Sequence, residues 1–235
     1  MPKIGFKSNP VRHITPSAIP LDGYVSNPLY EKFGTKSEIE EVARTNPRIK
    51  EILNEYNMHA KVNEKELERL KNGHLQKTRI TAAKMYSNLP AELKQTINHK
   101  ELQEAAMFHD YGKVLIPDSI LNKKGELNES EWEIMQQHSE LGAELLKDKN
   151  MSPRTLELIK YHHQNGSGSG YPMSDRYKYG LDSEILSVAD RYEALVEERS
   201  YKGAMTKDDA LSVLQDDVKS GLVSQEVFDA LKKSV

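Results

Sequence analysis

A chain of 235 residues is long enough to bury a substantial core, as one domain or as one domain with a smaller appendage. Charged residues make up 29% against 37% hydrophobic, and a formal net charge of -3 gives no general attraction for nucleic acid polymers or anionic membranes, so any anion must be gripped locally. The absence of cysteine excludes disulfides and thiolate metal sites, leaving nitrogen and oxygen ligands for any cation.

Residues 1–35, rich in Pro, Ser, Asn and Gly without sustained periodicity, are expected as an extended or poorly ordered arm. MPKIGFKSNPVRHITPS lacks the apolar stretch of a secretory signal and no window approaches 18 consecutive apolar residues, so the expected compartment is the cytoplasm. The N-terminal segment is a candidate for docking a protein partner or a second copy of the chain as a homodimer, and residues 36–71 are expected as a helical N-terminal extension. Within it SEIEEVARTNPRIKEILNEYNMHA predicts two short helices, Ser37 capping the first with Glu40 three residues on, and Pro47 opening the second. Further helices are predicted over about 63–88, 90–109, 130–146, 153–163, 182–197, 207–220 and 224–232. Their starts carry caps: Asn128 with Glu131, Ser152 before Pro153, Thr206 with Asp209. No segment alternates with period two for long, although the turns at Lys124-Gly125 and Tyr179-Gly180 could flank a residue pair or two of strand. The fold class is all-α.

Five of the eight histidines, His74, His109, His138, His162 and His163, fall where a four-helix arrangement could gather them, with Asp110 beside His109 and Asp190 in SVADRYEAL. In AAMFHDYGK the His-Asp pair closes an apolar helix face where Gly112 is expected to end the helix. Each of these side chains alone reads equally well as a hydrogen-bonded helix residue, and His13, His59 and His99 are assigned that ordinary role. Together they form a nitrogen and oxygen set suited to two first-row metal ions, with Asp110 able to bridge them.

These residues resemble the HD-GYP proteins, a subgroup of the HD metal-dependent phosphohydrolases. The HD pair is His109-Asp110 in HDYGK and the GYP triplet is Gly170-Tyr171-Pro172; the likeness runs on through IPDSILNKKGELNESEWEIMQQHSELG, HHQNGSGSGYP and ILSVADRYEALVEERSYKGAMT. The resemblance implies an HD-type helical bundle over residues 72–235 enclosing a multinuclear metal site that hydrolyses cyclic di-GMP. It implies His74, His109, Asp110, His138, His162, His163 and Asp190 as metal ligands, Lys113 of the HD-x-G-K motif as catalytic with Asp110, and Arg199 and Lys202 of RSYK on substrate phosphate. Leu70 stands where members with a third metal carry glutamate, so two ions are expected, iron or manganese, with zinc and nickel also compatible with the donor set. Gln164 and Ser167 replace residues that are usually acidic.

Two cations would raise hydroxide from bound water and stabilise charge on the phosphoryl oxygens, so a hydroxide bridging the ions is the expected nucleophile. In the stretch YHHQNGSGSGYP, adjacent histidines on a helix would point about 100° apart, toward different positions around a metal or toward metal and substrate. The Gly/Ser turn would let backbone approach a nucleotide, with Gly170 and Tyr171 as substrate contacts. Other readings are phosphohydrolysis of a linear or mixed cyclic nucleotide, and a catalytically weak cyclic-dinucleotide receptor.

Overall fold

The structure is a computed structural model that describes residues 28–71, 75–197 and 203–235. It is helical, and among the described residues the only β pairing is an isolated bridge between His163 and Tyr171. No described helix is long and apolar enough to cross a membrane.

A short helix α1 (Pro28–Glu31) leads into α2 (Lys36–Thr45) and α3 (Pro47–Glu55). The capping box of α2 is Thr35 with Glu38, not Ser37 with Glu40: the Thr35 hydroxyl accepts from the Glu38 backbone N–H, and Glu38 accepts in return from Thr35 N. Glu40 is engaged elsewhere, accepting from Val62 N at 3.1 Å. Pro47 opens α3 as expected, behind Asn46, whose side chain accepts from Arg48 N and Ile49 N. Ile49 and Ile52 of α3 are fully buried, worth about 1.5–3 kcal/mol each relative to exposure, so these helices are seated on the bundle. Phe33 joins them, tilted on Phe108 at 4.8 Å and edge-on to Tyr111 at 5.4 Å, with the Tyr111 hydroxyl donating to the Phe33 carbonyl.

The helix predicted over 63–88 is described as α4 (Glu64–Arg69), capped by Asn63, and α5 (Leu75–Asn88), with residues 72–74 between them outside the described residues. The one predicted over 90–109 is two, α6 (Ala91–Lys94) and α7 (His99–Phe108), because the Asn98 side chain accepts from Lys100 N and Glu101 N and starts a new helix. Gly112 does not end α7. The helix stops at Phe108, and Gly112 lies inside a 3-10 turn, Tyr111–Leu115, that precedes α8 (Asp118–Leu121).

Beyond it run α9 (Glu129–Leu146), α10 (Pro153–Lys160), α11 (Leu181–Val196), α12 (Lys207–Lys219) and α13 (Gln225–Ser234). The expected caps Asn128, Ser152 and Thr206 all accept from the third residue of their helices. One apolar cluster extends from Phe33 to Leu231. In it α5 packs between α7, α11 and α13, and α10 lies against α7 and α9.

Two devices hold the elements that carry the candidate site. The 3-10 turn meets α9 backbone to backbone: a Cβ on Gly112 would lie 2.9 Å from the His138 carbonyl carbon and closer still to its oxygen and to Gly142 N. Glycine is needed here for close approach. At the far end of α10, Arg154 grips Asp182 with Nε at 2.8 Å and Nη2 at 2.6 Å, a two-pronged pair that ties the starts of α10 and α11 together.

Candidate metal centre

His109 and Asp110 stand where α7 tightens into the 3-10 turn, His109 still helical at φ -51° and Asp110 at φ -93°, ψ 4°. Their side chains diverge. His109 Nε2 lies 3.1 Å from Asp190 Oδ1 on α11, while Asp110 Oδ1 lies 3.4 Å from His138 Nε2 on α9 and 3.9 Å from His162 Nε2. The histidine pair does not ride on a helix: α10 ends at Lys160, Tyr161 caps it, and both rings follow in a turn. The expected 100° divergence is therefore replaced by convergence. His162 Nε2 and His163 Nε2 lie 3.4 Å and 3.2 Å from the same atom, His138 Nε2.

Three imidazoles share one orienting device. The Nδ1 atoms of His109, His138 and His162 face the carbonyl oxygens of Ala106, Met135 and Ile159, each three residues earlier in its own segment, at 3.0, 2.6 and 2.7 Å. A carbonyl can only accept, so each Nδ1 carries the proton, and in a neutral ring Nε2 is left with its lone pair turned inward. Lone pairs facing each other at 3.4 Å repel unless something positive lies between them. The carboxylate repeats the message: Asp110 is buried, and its Oδ1 has no hydrogen-bond partner. One oxygen and three or four nitrogens without donors suit a divalent cation of the first transition row, held without sulfur. Fixing a ligating ring through its second nitrogen is what such centres require.

The ligand atoms fall into two overlapping groups, Asp110 with His138, His162 and His163, and His109 with Asp110 and Asp190, each within 4.8 Å across. Asp110 belongs to both. Its other oxygen accepts from Lys113 Nζ at 2.6 Å, a residue of the same 3-10 turn.

Charge follows this geometry. Burial, reinforced by the Lys113 charge, presses the His138 pKa down to about 3; burial and His109 bring His162 to about 4. His163 is also held well below the usual imidazole range, by burial and then by its two histidine neighbours. For His109 burial disfavours charge, but the Asp110 and Asp190 carboxylates outweigh it and the pKa rises. Burial likewise opposes ionisation of Asp110, and the Lys113 ammonium, then His109, overcome it and hold the carboxyl well below its ordinary value. Neutral His138, His162 and His163 beside ionised carboxylates are in the protonation states that metal ligation needs, while His109 would have to release its Nε2 proton to a metal.

Of the residues expected at the site, the structure gathers His109, Asp110, Lys113, His138, His162, His163 and Asp190, while His74, Arg199 and Lys202 lie outside the described residues. Leu70 is buried in the core. Tyr171 stacks on His163 at 4.5 Å and 28°, roofing the histidine pair, and its peptide bond to Pro172 is cis. Gly170 is demanded by packing, since a Cβ there would lie 2.6 Å from Gln164 Cα and nearer still to the His163 carbonyl oxygen. Gln164 is buried and donates from Nε2 to the Pro172 carbonyl at 2.7 Å, clamping the Gly-Tyr-Pro turn onto the histidines. Ser167 is exposed and bonds Asn165 Oδ1 through both its backbone N–H and its hydroxyl, so it shapes the turn. Sequence reasoning passed over Trp132, which meets Tyr171 edge-on at 5.8 Å; the chain's single tryptophan, near the start of a helix in SEWEIMQQH that also carries His138, was the available signal.

The sequence profile of the HD domain family matches residues 49–227. Among curated proteins the chain is 37% identical over 136 residues to a cyclic di-GMP phosphodiesterase of Thermotoga maritima, covering 57% of this chain and 37% of that protein. It is 31% identical over 154 residues to 3'3'-cGAMP-specific phosphodiesterase 1 of Vibrio cholerae, covering 65% of this chain and 36% of that protein. It is 41% identical over 116 residues to the cyclic di-GMP phosphodiesterase response regulator RpfG of Xanthomonas campestris, covering 48% and 31%. The matched region thus spans about a third of the length of these relatives. Among solved structures, Bd1817, an HDG"Y"P protein from Bdellovibrio bacteriovorus, shares the fold with a TM-score of 0.50 at 18% identity, covering 66% of this chain and 50% of that one.

Proposed function

This chain belongs to the HD domain family, and we propose that it is a phosphodiesterase that hydrolyses a cyclic dinucleotide with two divalent cations held around Asp110. The observation that carries this reading is the orphaned Asp110 Oδ1 among inward-turned imidazole lone pairs. Relatives named for cyclic di-GMP and for 3'3'-cGAMP support the substrate class and make these the two compounds to try first. His109, Asp110 and Asp190 would hold one cation and Asp110, His138, His162 and His163 the other, with iron or manganese favoured. Two such cations, when bound, supply Lewis acidity for activating water at neutral pH and for stabilising charge on phosphoryl oxygens.

The chain's own groups prepare that chemistry. The three Nδ1–H to carbonyl bonds hold the ring planes and tautomers before any ligand arrives, so no reorganisation is needed at the moment of reaction. Lys113 keeps Asp110 ionised and adds a compact positive charge at the mouth of the site, where a phosphate oxygen can share its ammonium with the carboxylate. Tyr171, stacked on His163, closes one side of the histidine pair to water. Arg199 and Lys202 are proposed as further phosphate contacts.

The test is to purify the protein without oxygen, measure Fe, Mn and Zn per chain, and follow cyclic di-GMP and 3'3'-cGAMP by chromatography beside an Asp110→Ala control. Two metal ions per chain and hydrolysis of at least one compound, both lost in the control, are expected. Two ions per chain with neither compound consumed would overturn the substrate class and favour a receptor.

A further inference from the structure

Beside the candidate centre lies an apolar ledge that the metal chemistry does not use. Among the described residues only three large hydrophobic side chains are exposed, and two of them, Trp132 at 45% and Met173 at 75%, flank Tyr171. Trp132 stands near the start of α9 and meets Tyr171 edge-on; Met173 follows Tyr171 by two residues. Neither position is needed for the core, since a residue that plugs the bundle is buried and Trp132 leaves nearly half its surface to water. Leaving an indole and a thioether in solvent next to the ring that covers the histidine pair is a cost that a ligand can recover.

The rings form a continuous path from the cation ligands outward. His163 is stacked under Tyr171 at 4.5 Å, His138 lies edge-on to it at 6.5 Å, and Trp132 lies on its outer side at 5.8 Å. In a nucleotide one ribose separates base from phosphate, so a base-binding surface must lie just outside the ring of phosphate-binding groups. Trp132 is one ring beyond it. The geometry points to Trp132 as the stacking platform for a purine base of the bound cyclic dinucleotide, with Tyr171 as the wall between that base and the metal ligands; this rests on the phosphodiesterase reading above. Stacking on an indole is tolerant of base identity, so the platform supplies affinity for either purine.

Trp132 is the only tryptophan in the chain, so its fluorescence reports on this ring alone. On mixing the metal-loaded protein rapidly with cyclic di-GMP or 3'3'-cGAMP, the emission is expected to be quenched before product forms and to recover as substrate is consumed. Trp132→Ala is expected to raise KM for the cyclic dinucleotide about 10-fold or more while kcat falls less than about 3-fold, and Trp132→Phe to restore most of the affinity. Unchanged metal content and melting temperature in both variants show that the fold is kept. Hydrolysis by the wild type without a transient quench, and with a wild-type KM in Trp132→Ala, would overturn the platform and leave the phosphodiesterase reading standing. If the wild type hydrolyses neither compound, that reading fails first and the platform with it.

Discussion

Replacing Gly112 with alanine is expected to damage both stability and the site, because the 3-10 turn and α9 touch through backbone alone. The added Cβ would fall inside 3.0 Å of three backbone atoms, the His138 carbonyl carbon and oxygen and Gly142 N, none of which can rotate away. Relief requires the turn to retreat from α9 by roughly 1 Å, an overpacking cost of about 1–3 kcal/mol. With a urea slope of about 2–3 kcal/mol/M for a chain of this size, the unfolding midpoint should fall by about 0.3–1.5 M. The same retreat carries Asp110 away from His138, now 3.4 Å from its Oδ1, so the shared cation position should be lost in proportion larger than the stability. Urea unfolding followed by circular dichroism, paired with metal per chain, checks both effects. A Gly112→Ala protein with wild-type midpoint and wild-type metal content would refute the close-contact reasoning. Gly142→Ala is the gentler comparison, since its Cβ would meet Gly112 N only at 3.0 Å.

Two further predictions concern carboxylates and pH. Glu140 on α9 accepts from Arg48 of α3 at 3.0 and 3.2 Å and from Lys160 of α10 at 2.7 Å; burial opposes its ionisation, but these bonds outweigh it and lower its pKa. A lowered folded pKa stabilises above the ordinary carboxylate value and loses that stabilisation as pH falls through the folded pKa. Glu140→Gln should therefore cost about 1 kcal/mol at pH 7, a figure kept small because Arg48 and Lys160 are 40% and 29% exposed, and the gap to wild type should close as pH drops below 4.5. A gap at pH 3.5 equal to that at pH 7 would contradict it. Gln164→Glu should behave oppositely, because a carboxylate cannot donate to the Pro172 carbonyl unless it is protonated. Its folded pKa would be raised, so the variant should match wild type near pH 4 and lose about 1–3 kcal/mol by pH 8. Equal thermal midpoints at both pH values would show that the amide is not the clamp.

Local signals were legible where a single answer satisfied them. Asn128, Ser152 and Thr206 each had one helix to start, and each starts it. In TKSEIEE, by contrast, Thr35-Glu38 and Ser37-Glu40 both fit a capping box, and the choice falls to a distant group, since Glu40 is taken by Val62 N. Asn98 with Glu101 was a readable helix start that the apolar pattern across 90–109 obscured. At the site, residue types and order announced nitrogen and oxygen chemistry around Asp110. That the three rings lean on carbonyls of their own segments was not legible, because it depends on how each ring turns relative to its own backbone. Nor was the role of Gln164, whose partner is eight residues away across a turn.

The candidate ligands come from four stretches of chain: the end of α7, the middle of α9, the turn after α10, and α11. Cations seated among them would tie residues 109, 138, 162 and 190 into one knot, cross-linking loops of tens of residues as a disulfide would, in a protein without cysteine. Because the knot exists only in the folded state, the folded fraction would rise with free metal by mass action. Scarcity of metal would then lower the amount of folded protein, so that its abundance would follow the supply of the ion.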